Sequence, residues 1–382
     1  VVRELLKAGL GGRNVALAGR NRSKLAEALK WAMETSSIQA PHPLPLIEAD
    51  VSNPIALAAM CRRARLVLNC VGPFRLYGEP VVSACVDAGA DYLDITGEPE
   101  FMERMEVSYH EAAKEKGVLV VSACGYDSIP AEIGLLHHLS QWTAAATWVP
   151  YSVNCLIHIT STEKVVGNVG TWESAVLGVS SAKELRKLRA RTKSTRARVT
   201  VPGPAITKPS SISWNKALKM WAVILPSADS AVVRRTMSAI AAGGPPSIAE
   251  EEMGLLSMDA ARKEVFRPVH FGVFSAVPNI FHVLAQVWLG ISILSLGMFA
   301  FGRRLLLRFP GFFSFGLFQR GGPTENQVEA AKFKLWFIGR GYSDPAIASM
   351  PAHHPEPDME VITSVSGPEI GYITTPICLV QC

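Results

Sequence analysis

Short apolar segments alternate with helical segments from the first residue to residue 123, and this alternation restricts the fold more than any other feature. Residues 1–8 are typical of the last turns of a helix, which Gly9 would end. Strands that alternate with helices in this way form a parallel sheet with helices on both faces. The sequence predicts strands at residues 14–18, 46–49, 66–71, 92–95 and 118–123, with helices at 24–33 and 55–64, near Pro80, and at 99–116.

After Pro130 the pattern changes, because the predicted strands become longer and alternate apolar with polar residues, as half-buried strands do. Strands at residues 152–161, 331–339 and 359–365 indicate a second, mixed sheet. We therefore expect an α/β fold in four parts. They are a domain with a parallel sheet at residues 1–128, the first part of a second α/β domain at 129–268, an apolar segment at 269–318, and returning strands with a C-terminal helix at 319–382.

The composition favours a membrane surface over nucleic acid as a partner. Of the 382 residues, 48% are hydrophobic and only 19% are charged, and the net charge is +5. The chain is therefore more apolar than an ordinary soluble enzyme, with a mean hydropathy of +0.20. The seven cysteines are an odd number without a C-x-x-C pair or a histidine spacing suited to zinc, so we expect reduced, intracellular thiols and no metal site.

Polar residues after the first two predicted strands suggest where a dinucleotide would bind, since ligands of an open parallel sheet bind beyond the carboxyl ends of its strands. Arg20 stands where a dehydrogenase that prefers NAD usually carries a carboxylate. With Arg22 and Ser23 it favours the 2′-phosphate of NADP, and NAD is left open. A solvated, basic helix start is the alternative. Asp50 either reaches the adenine amine or only serves the turn that follows it.

Residues 69–73, which we name the nicotinamide shelf, follow the third strand. Gly72 would let a ligand approach the backbone, and the Asn69 amide can hydrogen-bond a carboxamide; Val71 and Pro73 complete the loop. A tight strand-to-loop turn is the alternative interpretation. The sequence therefore predicts that this loop holds the nicotinamide.

Residues 125–130 supply the strongest candidates for acid–base chemistry. Asp127 or Ser128 can cap a helix with proline in its first turn, whose free amides would suit an anionic group. A plain cap is the simpler interpretation of each residue. Tyr126, Asp127 and Tyr77 are the candidate proton donors or positioning groups, because no pair of histidine and carboxylate stands out.

A glycine-rich loop is expected between the first strand and first helix of a Rossmann domain, and the sequence does not contain one there. The sequence begins inside that helix, and the glycines at residues 9–12 follow a helix instead of preceding one. We therefore expect an incomplete Rossmann-type sheet that would bind dinucleotide poorly.

Residues 283–301 form an apolar run of 19 residues without a charge, which meets the lower range for crossing a bilayer. Three arginines follow at residues 303–308, and a second, Phe-rich run at 309–318 is interrupted by proline and glycine. We expect a membrane-associating segment. It either spans, with the arginines on the cytoplasmic side, or inserts as a hairpin into a monolayer. A buried core helix is the alternative.

Residues 183–198 contain eight lysines or arginines and one glutamate, a composition that anionic lipid headgroups attract. A solvated helix face is the alternative interpretation.

Five motifs carry a resemblance to a known family: N-C-V-G-P-F at 69–74, Y-G-E-P-V-V at 77–82, D-I-T-G-E-P at 94–99, G-Y-D-S-I-P at 125–130 and F-P-G-F-F-S-F-G at 309–316. They resemble those of the saccharopine dehydrogenase-like oxidoreductases of animals, over nearly the whole chain. The resemblance implies a Rossmann domain before an α/β substrate domain, a nicotinamide cofactor, association with lipid droplets or other membranes, and kinship with enoyl reductases of glycolipid synthesis. Against that family, the sequence looks like a fragment or a truncated isoform.

Three functions compete at this point. The first is an NADP-linked reductase of a lipid-like substrate on a lipid droplet or intracellular membrane, facing the cytoplasm. The second is a non-catalytic protein of the lipid-droplet or membrane surface. The third is a soluble amino-acid dehydrogenase, which would have a cleft lined with arginine and histidine and no apolar segment. A homodimer is left open.

Overall fold

The structure is a computed structural model of the 382-residue chain. It describes residues 1–10, 15–36, 44–142, 148–192, 199, 201, 210–241, 268–348 and 355–382. Asn14 of the first predicted strand and residues 193–198 of the basic stretch lie outside the described residues.

The first 128 residues, which we name the parallel-sheet region, alternate strands with helices as predicted. All of its strand pairs are parallel, in one sheet of β1 and β2 and another in the order β3-β4-β5. Among the described residues, β1 pairs only with β2, and β3 pairs only with β4. The elements are α1 (Val2–Lys7), β1 (Leu17–Gly19), α2 (Arg22–Ser36), β2 (Leu46–Glu48), α3 (Pro54–Cys61), β3 (Leu66–Asn69), α4 (Phe74–Ala88), β4 (Asp91–Asp94), α5 (Pro99–Lys116) and β5 (Val120–Val121).

Local capping explains several of these boundaries. The Asn53 side chain accepts hydrogen bonds from the amides of Ile55 and Ala56, both at 3.1 Å, and so begins α3. Gly9 follows α1 with a φ of +72°, the left-handed conformation that glycine adopts without a steric penalty. The helix end at Gly9 had been predicted.

The predicted start of the fourth helix near Pro80 is wrong, because α4 begins at Phe74 and Pro80 lies inside it. The early start has a tertiary cause. The amides of Phe74 and Arg75 donate to the carboxylate of Glu98, which lies after the next strand. These amides have no partner within their own helix, so a remote acceptor stabilises the helix end.

The core of the parallel-sheet region lies between α3, α4, α5 and β4. Apolar burial of this kind is the main term that stabilises the region. Gly78 lets α4 approach α5, since an added Cβ would lie 2.5 Å from the ring of Phe101. The buried side chains include those of Leu57, Phe74, Val81, Val82, Val86, Tyr92, Phe101 and Met105.

The remaining elements form what we name the mixed-sheet region. They are α6 (Ile129–Trp142), β6 (Val149–Thr160), β7 (Gly167–Asn168), α7 (Val169–Ser180), α8 (Ala182–Thr192), β8 (Ile212–Asn215), β9 (Met220–Ile224), α9 (Asp229–Ala241), β10 (His270–Val277), α10 (Ile280–Leu296), α11 (Ala300–Arg308), α12 (Pro310–Phe313), β11 (Phe318–Gln319), α13 (Glu325–Ala330), β12 (Lys332–Tyr342), α14 (Pro345–Ala348), β13 (Met359–Pro368), a π-helical turn (Ile370–Thr374) and α15 (Thr375–Gln381).

A six-stranded sheet in the order β13-β12-β6-β10-β9-β8 organises this region. Strand β6 pairs in parallel with β10 and antiparallel with β12, so the prediction of a mixed sheet is confirmed. Strands β8, β9 and β10 had not been predicted. Helices α6 and α9 pack on one face of the sheet. The core there includes Leu135, Leu139, Val153, Cys155, Val233, Phe333 and Phe337.

The apolar run at residues 283–301 does not form one helix. Helix α10 ends at Leu296, where the Gly297 amide donates to the Ile293 carbonyl at 2.8 Å, and α11 begins at Ala300. Within the described ranges, no helix combines the length and the apolar character needed to cross a membrane. Insertion of this segment into one lipid layer without spanning it stays a prediction.

Candidate functional site

The nicotinamide shelf is held in place by Asn69, the last residue of β3. This side chain is 4% exposed; its Oδ1 accepts from the Val71 amide at 3.0 Å, and its Nδ2 donates to the Tyr92 hydroxyl at 3.1 Å. Its amide is thus engaged inside the protein, which favours a role in shaping the loop. Val71 is 43% exposed and Gly72 is also exposed, so the backbone of the shelf is open to a ligand, while Pro73 is buried.

Glu98 fixes the far side of the shelf. Its buried carboxylate accepts from the amides of Phe74 at 2.8 Å and Arg75 at 3.1 Å, and from the Ser174 hydroxyl at 2.9 Å. One side chain therefore joins the loop after β4, the start of α4 and α7 of the mixed-sheet region. The sequence placed Glu98 inside a motif but gave it no role, because its partners are remote in the chain.

Asp94, the last residue of β4, joins the ends of two strands. Its Oδ1 accepts from the amides of Thr96 and Ala123, both at 3.0 Å, and its Oδ2 accepts from the hydroxyls of Tyr92 at 2.9 Å and Ser122 at 3.2 Å. The side chain is fully buried, and burial raises the pKa of this carboxyl while the hydrogen bonds lower it. The arrangement is structural and leaves no room for a ligand at Asp94.

Asp127 lies beyond the carboxyl ends of β4 and β5. Its Oδ2 packs against the backbone of Gly97, where an added Cβ would lie 2.9 Å away. The residue as a whole is exposed, but protein atoms crowd its carboxyl group. The resulting loss of hydration, together with the carboxylate of Asp229, raises the pKa of Asp127 to about 7. Asp229, in the first turn of α9, is 1% exposed and was missed in the sequence because nothing local distinguishes it from a helix-start aspartate.

Ser128 precedes α6 but does not cap it with its side chain. Its Oγ has no hydrogen-bond partner among the described residues, although it is 1% exposed. Asp127 likewise makes no side-chain hydrogen bond to the first amides of α6 within the described part of the chain. The simpler interpretation of these two residues as caps is therefore wrong, since the fold turns them towards Asp229 and Gly97.

The two candidate tyrosines have different environments. Tyr126 is 9% exposed, its ring meets Phe333 edge-on at 4.9 Å, and its hydroxyl has no partner among the described residues. Burial raises the pKa of Tyr126, and the carboxylates of Asp127 and Asp229 raise it further. Tyr77 lies in the first turns of α4 and is 40% exposed. A role of either hydroxyl in catalysis stays a prediction.

Arg20 and Asp50 lie at the carboxyl ends of β1 and β2, close enough for the guanidinium to help lower the pKa of Asp50. The largest cause of that lowering is the hydrogen bond from Ser52, whose amide and hydroxyl donate to Asp50 at 2.8 and 2.7 Å. This geometry favours turn chemistry for Asp50. Arg22 donates to the Leu46 carbonyl at 3.2 Å, whereas Arg20 is exposed and makes no hydrogen bond or ion pair with another described residue.

Arg20 and residues 70–72 of the nicotinamide shelf each follow a strand of the parallel-sheet region and are exposed. That they bind the two ends of a dinucleotide stays a prediction. In the described part of the parallel-sheet region, no run of glycines precedes a helix where a pyrophosphate would need amides. Gly9 follows α1, and Gly11 and Gly12 lie outside the described residues.

A second candidate surface, which we name the apolar face, covers the outer side of α10 and the turn into α11. Large apolar residues project there at the three- and four-residue spacing of one helix face. Val283 and Ser292 are the buried residues of α10. The members are each at least 45% exposed: Ile280, Phe281, Leu284, Trp288, Ile291, Leu294, Met298, Phe299 and Phe301.

Residues next to the apolar face extend it. Phe309, Phe312 and Phe315 are 49%, 73% and 61% exposed, while Phe313 is buried against Trp172 of α7. The Phe-rich run therefore divides between surface and core. Exposed arginines are found at 304 and 308 in α11.

The described part of the basic stretch lies in helix α8, which has no buried residue. Arg189 is not free for a headgroup, because it donates two hydrogen bonds to Glu103 Oε1 on α5, at 2.6 and 2.9 Å. The described part of the stretch thus serves in part to join the two regions.

Comparison with known proteins identifies the family. Residues 1–121 match the family described as the saccharopine dehydrogenase NADP binding domain. Across 100% of its length the chain is 48% identical to a probable mitochondrial saccharopine dehydrogenase-like oxidoreductase of Arabidopsis thaliana, 84% of which it covers. The chain belongs to the saccharopine dehydrogenase-like oxidoreductases. The saccharopine dehydrogenase-like oxidoreductase of Homo sapiens is 36% identical, over 96% of this chain and 79% of that protein.

A third relative of this oxidoreductase carries a name that concerns location. It is a protein of Caenorhabditis elegans called lipid droplet localized protein, 32% identical over 97% of this chain and 82% of that protein. The family prediction made from the five motifs is confirmed, and the match to an NADP-binding domain supports a nicotinamide cofactor of the NADP type. The Arabidopsis relative is named mitochondrial and the Caenorhabditis elegans relative is named for lipid droplets, and each name describes that protein.

Proposed function

We propose that this oxidoreductase uses NADP to reduce a lipid-like substrate, a glycolipid precursor among the candidates, at the surface of a lipid droplet or intracellular membrane on the cytoplasmic side. The observation that carries the proposal is the placement of Asp127. Its carboxyl lies against Gly97, beyond the carboxyl ends of β4 and β5, and has a pKa near 7, which suits a proton donor at neutral pH.

The residues have separate roles in this proposal. The nicotinamide shelf would hold the nicotinamide end of the cofactor. Glu98 would fix the position of the shelf by binding the first amides of α4. Arg20 would hold the 2′-phosphate. The bound cofactor supplies the hydride, while Asp127 supplies a proton to the reduced substrate.

Titration of NADPH and NADH by fluorescence tests the cofactor role of Arg20. The Arg20→Glu variant should bind NADPH about 10-fold more weakly or worse, because a charge-assisted contact is lost, while NADH binding should change little. Arg63→Glu, at another exposed arginine, is the matched control. Equal NADPH affinity in Arg20→Glu and the unaltered chain would contradict the assignment.

A lipid surface is the partner that we propose for the apolar face. Large exposed apolar patches on a monomer mark interaction sites, and the arginines of α11 complement anionic headgroups. The name of the Caenorhabditis elegans relative supports the same partner. The two unequal apolar runs suit insertion into one leaflet or a monolayer.

A non-catalytic protein of the lipid surface is the second candidate function. It is favoured by the apolar face, which can bind a lipid surface without a nucleotide. NADPH titration of this chain separates the two functions, since saturable NADPH binding would contradict the second one.

A further inference from the structure

One face of the six-stranded sheet carries charged and aromatic side chains that the proposed function does not use. Along β12, Phe333 and Leu335 are buried in the core that packs on α6. Side chains alternate between the two faces of a strand, so Lys332, Lys334 and Trp336 point to the opposite face. On that face the two lysines are exposed and the tryptophan is half-buried.

The two strands beside β12 place further polar groups next to these lysines. Strand β6 places Thr160 and His158 opposite them, and on the other side β13 places Ser366 opposite Lys334. Directly opposite residues of an antiparallel pair point to the same face. The three strands thus border a groove with a volume of about 590 Å³, a size that suits a small ligand. We name it the lysine groove, and its lining includes His158, Thr160, Lys332, Lys334, Trp336 and Ser366.

The lysine groove carries a positive charge that the described residues do not neutralise. The ammonium groups of Lys332 and Lys334 make no ion pair with a described residue. The exposed hydroxyls of Thr160 and Ser366 make no hydrogen bond within the described part of the chain. Among the described residues that line the groove, none is acidic. Two ammonium groups and two hydroxyls are therefore available to an anion.

An aromatic pair lies beside these polar groups. The ring centroids of His158 and Trp336 are 6.0 Å apart, and Lys334 Nζ lies 5.2 Å from the centroid of Trp336. His158 Nδ1 donates to the Ala276 carbonyl at 2.8 Å, since a carbonyl can only accept. This bond fixes the histidine ring, and its Nε2 has no partner among the described residues. The pair gives the groove an apolar wall next to its charged groups.

Apolar side chains continue from Trp336 along the same face. Ile338 follows two residues later on β12, and Ile362 of β13 lies opposite Ile338. Ile362 is 45% exposed, so this part of the face is open. The face therefore separates into a charged part at the two lysines and an apolar part beyond the tryptophan.

We propose that the lysine groove binds a single-chain lipid anion, whose phosphate or carboxylate head contacts Lys332 and Lys334 while its apolar chain lies against Trp336. Ammonium groups bind phosphate as point charges, and the neighbouring hydroxyls add hydrogen bonds. The inference goes beyond the proposed function and does not depend on it, because the groove shares no residue with the nicotinamide shelf. A lipid anion and free phosphate share the head chemistry, so the experiment has to separate them.

Isothermal titration calorimetry of the full chain with octyl phosphate, kept below its micelle concentration, tests the inference. Inorganic phosphate and octanol are the matched probes, and each should bind at least about 10-fold more weakly because it lacks one part of the contact. Lys332→Gln combined with Lys334→Gln should weaken octyl phosphate at least about 10-fold. Lys7→Gln combined with Lys114→Gln removes the same charge at two exposed lysines outside the groove and should leave the affinity unchanged.

Trp336→Ala separates the two parts of the site, since it should weaken octyl phosphate several-fold and leave inorganic phosphate unchanged. Equal affinity of both lysine double variants for octyl phosphate would overturn the inference, because binding to the apolar face would not distinguish them. Inorganic phosphate or octanol that binds as tightly as octyl phosphate would overturn it as well. If Trp336→Ala does not fold, the lysine variants decide the outcome, because their side chains are exposed.

Discussion

Three carboxylates near the carboxyl ends of β4 and β5 differ in what they offer a ligand. Asp94 uses both oxygens to hold backbone and hydroxyl donors inside the protein, and Glu98 uses its oxygens to hold the start of α4. Asp127 is different, since its neighbours are a glycine backbone and another carboxylate. Of the three, Asp127 is the exposed carboxyl, and its raised pKa of about 7 lets it keep a proton up to neutral pH.

The raised pKa of Asp127 predicts a pH-dependent stability. An aspartate in the unfolded chain has a pKa of about 3.9, so between about pH 4 and pH 7 the folded state binds the proton and the unfolded state does not. The free energy of unfolding should therefore fall as the pH rises through this window and level off above it. In Asp127→Asn the fall should be smaller. Urea unfolding at several pH values from 4.5 to about 8 measures both curves. Parallel curves for the two proteins would contradict the shifted pKa.

At the scale of elements, the position of the nicotinamide shelf depends on contacts between helices that are remote in sequence. Glu98 ties α4 to α7 through Ser174, and Trp172 of α7 donates to the Leu306 carbonyl of α11 at 3.0 Å. The Arg75 guanidinium also donates to the Leu177 carbonyl of α7. Helix α7 thus lies between the nicotinamide shelf and the helices that carry the apolar face.

Glu98→Gln should lower the free energy of unfolding by about 1–3 kcal/mol, because one carboxylate that accepts three hydrogen bonds at a helix start is replaced by a neutral amide with a single acceptor. Ser174→Ala should cost about 1 kcal/mol, as it removes a single bond. Glu111→Gln, on the exposed side of α5, is the matched control. Chemical denaturation measures all three, and a change no larger than that of the control would contradict the role of Glu98.

Gly78→Ala should destabilise the protein by about 1–3 kcal/mol through overpacking, because the new Cβ would lie 2.5 Å from the Phe101 ring between α4 and α5. Gly178→Ala is a suitable comparison, since no atom lies within 4 Å of a Cβ added to that glycine of α7. It should be neutral or stabilising by about 0.5–1 kcal/mol, as alanine favours a helix. Thermal unfolding of both variants measures the difference, and equal effects would refute a close approach at Gly78.

At the scale of the whole molecule, the protein combines a candidate site at the carboxyl ends of β3, β4 and β5 with a separate apolar surface on α10. The parallel-sheet region carries the acid and the nicotinamide shelf, while the mixed-sheet region supplies Asp229 and the apolar face. Helices α6 and α9 pack against each other; α6 begins at Ile129, after Asp127 and Ser128, and α9 begins at Asp229.

The apolar face predicts binding to lipid vesicles that depends on its outward side chains. Leu284→Asp combined with Ile291→Asp should reduce co-sedimentation with vesicles containing anionic lipid by about 10-fold or more, because burying these two exposed side chains in the lipid would contribute about 3 kcal/mol or more. Leu119→Asp introduces the same charge at an exposed leucine outside this face and should have no effect. Equal co-sedimentation of all variants would rule out the apolar face as the lipid-binding surface.

The sequence by itself determined the features that depend on a few neighbouring residues. The alternation of strands and helices, the Asn53 cap and the helix end at Gly9 follow from local periodicity and side-chain-to-backbone hydrogen bonds. Five short motifs were also enough to identify the family. Strands β8, β9 and β10 were missed, because short strands in a mixed sheet are stabilised mainly by their neighbours.

Only the tertiary structure decided which side chains meet. Asp229 lies about a hundred residues after Asp127 in the chain. The Glu98 side chain accepts hydrogen bonds at the start of α4, a helix that lies earlier in the sequence. The same holds for residues 283–301. The sequence shows that these residues are apolar, but which of them are exposed depends on what α10 packs against. Local propensities act over one or two turns, whereas these contacts result from packing the two regions together, and no pattern within either segment encodes the partner.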